Sequence, residues 1–338
     1  MSKSLIKIFL VLALFSVGFS SCEKDETTIE DGEMAVEDTH VFNADLMNAD
    51  NLLENVSLVT ATLTDGTTAE CYQLVFKSNP VANGPYCPET IDDIGGLGIY
   101  DGATNPGFQV MKAELWNAME ADGYDIVDAD GNITISDPGA GPAPSLGGGS
   151  CLEATPDNNL RLTFLIPAVP KNGTSNDVIN IVENLGVSKD GIPLTGHPPS
   201  ATQGPPGMSG GGPGNVAAIP AIDPCGGHMD PFGYYHLHFG AEEMNNVLLA
   251  NDITEVSCTN FTQNTSVFIG YAKDGYPIYA SEDLDGTLPS DLDECQGHTL
   301  ATADYPDGVY HYHVSNTAAP NLPQCLKGVA AQNSFTYE

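Results

Sequence analysis

The chain has 338 residues, with 10 Lys and Arg against 45 Asp and Glu, a formal net charge of −35. A surface of that sign repels phosphate backbones, which excludes DNA and RNA as partners. The hydrophobic content of 41% is enough to build a core, and 36 Gly and 24 Pro beside a single Trp favour a turn-rich, mainly β chain over a helical bundle.

Lys3 and Lys7 precede an apolar run from Ile8 to Phe19, the order of a secretory signal over residues 1–21 and too short for a membrane span. Phe19-Ser20-Ser21-Cys22 resembles the lipobox of bacterial lipoproteins, which implies that Cys22 carries the lipid; Phe19 stands where Leu is usual. Residues 22–40 are acidic and Thr-rich, too poor in apolar surface to fold, and read as a tether. Lys24 followed by acidic residues also resembles an export signal of surface lipoproteins. The expected location is therefore extracytoplasmic, with the outer membrane as partner through the lipid anchor, on the cell surface.

Residues 41–150 read as a β-rich N-terminal region. Segments 56–64 and 71–76 have strand composition with a turn at Asp65-Gly66. Phe108, Met111, Leu115 and Met119 recur at helical spacing, and Gly123 is placed to end that helix. Segments 124–127 and 132–135 then flank Asp128-Ala129-Asp130-Gly131 in a hairpin pattern. With Asp137 this loop partly resembles a calcium loop, but Ile126 occupies the first ligand position, so a turn is the better reading. The Gly/Pro-rich stretch from Pro138 to Ser150 is expected to be a loop or a domain boundary.

Residues 151–338 contain an internal duplication. Gly186-Val187-Ser188-Lys189-Asp190-Gly191-Ile192-Pro193 returns as Gly270-Tyr271-Ala272-Lys273-Asp274-Gly275-Tyr276-Pro277. Asp223-Pro224-Cys225-Gly226-Gly227-His228 returns as Asp293-Glu294-Cys295-Gln296-Gly297-His298, and Gly233-Tyr234-Tyr235-His236-Leu237-His238 as Gly308-Val309-Tyr310-His311-Tyr312-His313. The order is the same in both copies, and the excess length of the first lies between His197 and Asp223, in a Gly/Pro-rich stretch expected to be an exposed loop. The twin Asp-Gly-x-Pro segments read as tight turns between strands.

Eight cysteines less Cys22 leave seven. Cys225 and Cys258 are 33 residues apart and Cys295 and Cys325 are 30 apart, which predicts one bridge inside each unit; one of Cys71, Cys87 and Cys151 is left unpaired. The expected fold is β-rich α+β, a disulfide-stabilised pair of duplicated β units about a pseudo-twofold axis with few short helices.

The Tyr-His-Tyr-His run, the Asp-Glu-Cys-Gln-Gly-His block and the Gly-x-x-x-Asp-Gly-x-Pro segments together resemble the YHYH domain family of secreted bacterial proteins over about 160–329, with Leu237 replacing the second Tyr in the first copy. The family brings no established activity, so any chemistry must come from the residues themselves. On a strand, His236 and His238 share one face while Tyr235 and Leu237 share the other; His311 and His313 stand likewise against Tyr310 and Tyr312. Adding His228 or His298 gives each unit three imidazoles, enough to hold copper or zinc with a coordination position open. Asp223 and Asp293 are expected to orient a ring or act on a bound water, or else to cap the Cys turns. The tyrosines read as core aromatics. Asp283, Asp285, Asp291 and Asp293 form an acidic loop with a weaker claim to calcium.

The leading expectation is a metal-binding surface lipoprotein. A metal-dependent hydrolase and a metal-independent binding module for carbohydrate or protein are the alternatives. No nucleophile motif, phosphate loop or dinucleotide fingerprint supports covalent catalysis or nucleotide chemistry.

Overall fold

The computed structural model describes residues 40–82, 84–140, 149–202 and 218–338. The signal segment, Cys22 and the tether up to Thr39 lie outside the described residues. In chain order, the N-terminal region contributes strands β1 (Ser57–Thr62), β2 (Thr68–Lys77), β3 (Leu97–Tyr100) and β4 (Gly107–Val110), helix α1 (Ala113–Ala121), and strands β5 (Ile135–Ser136) and β6 (Ser150–Leu152). The predicted hairpin turn is present, with Gly66 at φ +83° joining β1 and β2. The predicted helix forms with Leu115, Trp116 and Met119 buried and Gly123, at φ +93°, just past its end. It starts later than expected, however: Phe108 belongs to β4, which pairs with β3, and Met111 precedes the helix.

Strands β7 (Arg161–Pro167) and β8 (Asn172–Val178) lead into the duplicated units. The first unit holds β9 (Asn184–Ser188), β10 (Pro193–Thr195), β11 (Ala218–Pro220), β12 (Gly227–Met229), β13 (Tyr235–Leu237) and helix α2 (Met244–Ala250). The second holds β14 (Phe268–Ala272), β15 (Pro277–Tyr279), β16 (Gly297–Leu300) and β17 (Val309–His313), followed by β18 (Cys325–Gly328) and β19 (Phe335–Tyr337). Among the described residues, no helix is long and apolar enough to cross a membrane.

Eight strands from the two units form one sheet in the order β12-β13-β10-β9-β14-β15-β17-β16, which reads the same from either end when equivalent strands are exchanged. At its centre β9 and β14 are antiparallel, with Gly186 opposite Ala272, Val187 opposite Tyr271 and Ser188 opposite Gly270. Residues that correspond in the repeat are thus exchanged about the Val187–Tyr271 pair, and the pseudo-twofold axis passes there. The repeated glycines have a shared cause: a Cβ on Gly186 would strike the Tyr271 carbonyl, and one on Gly270 the Val187 carbonyl. The Asp-Gly turns that follow are tight, with Gly191 at φ +83° and Gly275 at φ +95°.

One face of the sheet sends Leu185, Leu194, Tyr235, Leu237, Ile278 and Tyr312 into a core shared with Met244, Val247 and Leu248 of α2. The other face packs Val187, Phe268, Tyr271 and Tyr279 against Phe76, Leu162 and Phe164. Those last residues come from a second sheet, β1-β2-β7-β19, that draws on both ends of the described chain. Position 150/151 therefore does not divide two bodies: β2 pairs with β7 across it, β6 pairs with β5 and β11, and residues 39–338 form a single unit. The expected loop between His197 and Asp223 also departs from expectation at its end, where Ile219 and Pro220 of β11 are buried; residues 203–217 and 141–148 lie outside the described residues.

Cys225 joins Cys258 and Cys295 joins Cys325, one bridge per unit as the spacing predicts. Cys87 pairs with Cys151, which leaves Cys71 free and buried in β2.

Candidate metal centres

The strand alternation expected from the sequence places the imidazoles. Tyr235 and Leu237 enter the α2 core, so His236 faces the opposite way, with His238 one residue past the end of β13. The third ring comes from the neighbouring strand, because the antiparallel register sets His228 directly opposite His236. In the second unit the same register sets His298 opposite His311. Each triad thus uses a cross-strand pair and one ring two residues further on.

In the first unit His238 Nε2 lies 3.0 Å from His236 Nε2 and 3.1 Å from His228 Nε2. In the second, His313 Nε2 lies 3.0 Å from His311 Nε2 and 3.2 Å from His298 Nε2. Five of the six rings are buried and His228 is half-buried. The two triads occupy opposite ends of the sheet, five strand spacings or about 24 Å apart at about 4.8 Å each. They are two centres, and no single site lies across the axis.

The far nitrogens fix the tautomers. His313 Nδ1 donates to the Ala280 carbonyl at 2.6 Å, His311 Nδ1 to the Val309 carbonyl at 3.0 Å, and His298 Nδ1 to Asp291 Oδ1 at 2.8 Å. Those partners only accept, so each Nδ1 carries the proton; in His311 and His313, where burial favours the neutral ring, a bare Nε2 lone pair turns inward. His238 Nδ1 likewise meets the Gly196 carbonyl, and Thr195 Oγ1 lies 3.0 Å away. His236 Nδ1 has no hydrogen-bond partner among the described residues. Protonating a ring would relieve the clash of lone pairs, but burial opposes it. It pushes His228, His236 and His238 well below the usual imidazole range, lowers His313, and brings His311 down to about 4.

A fourth donor stands in the second triad. Asp283 Oδ1 lies 3.1 Å from His298 Nε2 and 3.4 Å from His313 Nε2, and the four ligand atoms all fall within 4.8 Å of one another. The sequence pointed to Asp283 only as part of an acidic loop. That loop does not gather for calcium: Asp285 accepts from Thr287, Asp291 from His298 and Asp293 from its own turn, while Asp283 joins the imidazoles. The 128–137 loop is a turn, as expected, with Asp128 accepting from Asp130 and Asn132 and Asp137 accepting from Gly139 and Thr155.

Asp223 and Asp293 take up the other role weighed for them, capping the Cys turns. Asp223 Oδ1 accepts from the Cys225 and Gly227 amides and its Oδ2 from the Tyr235 hydroxyl at 2.6 Å. Asp293 does the same for Cys295, Gly297 and Tyr310, and also pairs with Lys327 at 3.0 Å. These carboxylates shape the Cys turn and tie it to the strand that bears the histidines. Tyr312 is a core aromatic whose hydroxyl donates to buried Asp274 at 2.6 Å; where Leu237 replaces that ring, the equivalent Asp190 accepts from Asn48 instead.

The fold and its paired triads define a duplicated β protein with one histidine centre in each unit. Residues 163–288 and 282–328 match the family model of the YHYH protein, and this region is a YHYH domain. No curated protein and no solved structure matches the chain.

Proposed function

We propose that the YHYH region is a metal-binding module that holds two transition-metal ions, copper or zinc, one in each triad. The observation that carries this reading is the second unit, where three Nδ1 protons are committed to oxygens and the three Nε2 atoms converge beside a carboxylate. A divalent cation among them replaces the repulsion of lone pairs with coordination, and imidazole nitrogen suits both metals. Elemental analysis of the purified protein, offered copper and zinc at neutral pH, should find two ions per chain. A protein that takes up neither would leave the histidines structural and favour a carbohydrate- or protein-binding module.

We also propose that the protein works outside the cytoplasm, held to the outer membrane by lipid on Cys22. The lipobox-like Phe19-Ser20-Ser21-Cys22 and the three disulfides support this placement. Labelled fatty acid should enter the wild type and not the Cys22→Ala variant; absence of label in the wild type would remove the anchor.

A further inference from the structure

The duplication allows the two centres to be compared position by position. Pro193 corresponds to Pro277, and Gly196 to Ala280, the two residues whose carbonyls meet His238 Nδ1 and His313 Nδ1. Three residues further on, Asp283 corresponds to Pro199. The second unit thus gains an oxygen ligand where the first has a ring with no lone pair to offer. Among the described residues, no acidic or Cys side chain joins His228, His236 and His238.

The surrounding space differs in the same sense. Beside Asp283, His311 and His313 the void is about 10 Å³, no more than one water needs. Pro199 instead borders a cavity of about 220 Å³ that reaches His228 and His236 and is walled by Leu152, Met229 and Phe232, with Asp230 the one carboxylate among the described residues that line it.

We propose that the two ions have different roles. The second is closed by Asp283 and is a structural fixture. The first keeps one coordination position turned toward the apolar cavity and takes up a small exchangeable ligand, with one nitrogen or oxygen donor and an apolar body. Structural zinc is held by four protein donors, whereas zinc that exchanges ligands keeps three. The cavity is smaller than the roughly 300–1,000 Å³ of drug-sized ligand sites and larger than the roughly 150 Å³ that takes benzene, which limits the ligand to about ten heavy atoms. This division rests on the metal-binding reading above.

Cobalt(II) loaded into the full protein reports ligand exchange through its visible absorption, with imidazole and azide as probes. Saturable change in about half of the cobalt signal is expected. The response should persist in the His311→Ala/His313→Ala double variant, which leaves the second site two donors and so keeps only the first ion, and vanish in His238→Ala, which keeps only the second. Asp283→Ala should recruit the second ion to the response, and Pro199→Asp should silence the first; if Pro199→Asp does not fold, the two histidine variants make the assignment alone. Equal response from both ions, or from neither, would overturn the division while leaving metal binding intact. A protein that takes up no cobalt, zinc or copper would instead remove the reading on which the division rests.

Discussion

At the scale of single residues, the arrangement is governed by where protons sit. His313 Nδ1 donates its hydrogen bond to the Ala280 carbonyl, so its Nε2 can only accept, yet two more ring nitrogens and a carboxylate surround it. His238→Ala, and the His311→Ala/His313→Ala double variant that leaves the second site two donors, should each lower the metal content from two ions per chain to one, as read by elemental analysis, because the triads share no ligand. Acid should act on the metal-free fold through the same rings. Their folded pKa values lie below the unfolded value of about 6.5, so as pH falls the unfolded chain binds protons first. Stability contributed by the neutral rings is fully present above 6.5 and is lost as pH falls toward about 4, the value for His311. Circular dichroism against pH should place the acid transition of chelator-treated protein in that window and that of metal-loaded protein lower. Tyr312→Phe tests a different kind of residue. It removes the hydroxyl from Asp274, which is fully buried, and should cost about 1–3 kcal/mol in urea unfolding without releasing metal.

At the scale of elements, each triad depends on one strand pairing and one bridged turn. The Asp293 carboxylate gathers the Cys295 and Gly297 amides, and the Cys295–Cys325 bridge ties the same turn to β18. Replacing both cysteines with Ser should lower stability by about 2–4 kcal/mol and weaken the second ion more than the first, measurable by competition with a chromogenic chelator. These pairings were legible in the chain because repetition marks them: the near-equal cysteine spacings and the returning His-x-His blocks each point to one unit's interior. Asp283 was not legible as a ligand, since it lies outside every repeated block and its counterpart is a proline. The helix start was misplaced for a related reason. Phe108 and Met111 fit a helical period by spacing alone, but Phe108 is drawn into a strand by its pairing with Ile99, a contact that periodicity does not register. The Gly/Pro-rich stretch before residue 150 could be read as a loop or a boundary, because composition says nothing of sheets that close across it.

At the scale of the whole molecule, the net charge of −35 surrounds both centres with a field that concentrates cations. Metal uptake by stopped flow should therefore slow as ionic strength rises, since long-range attraction is screened within about 8–10 Å at physiological salt. Joining the two units in one chain has a consequence of its own. The Val187–Tyr271 pairing is the contact that two identical chains would make across a true dyad, and such a homodimer is bound to carry identical halves. Covalent fusion lifts that obligation. A codon changed at position 199 leaves position 283 untouched, so the halves can keep one scaffold and still drift apart in what they bind.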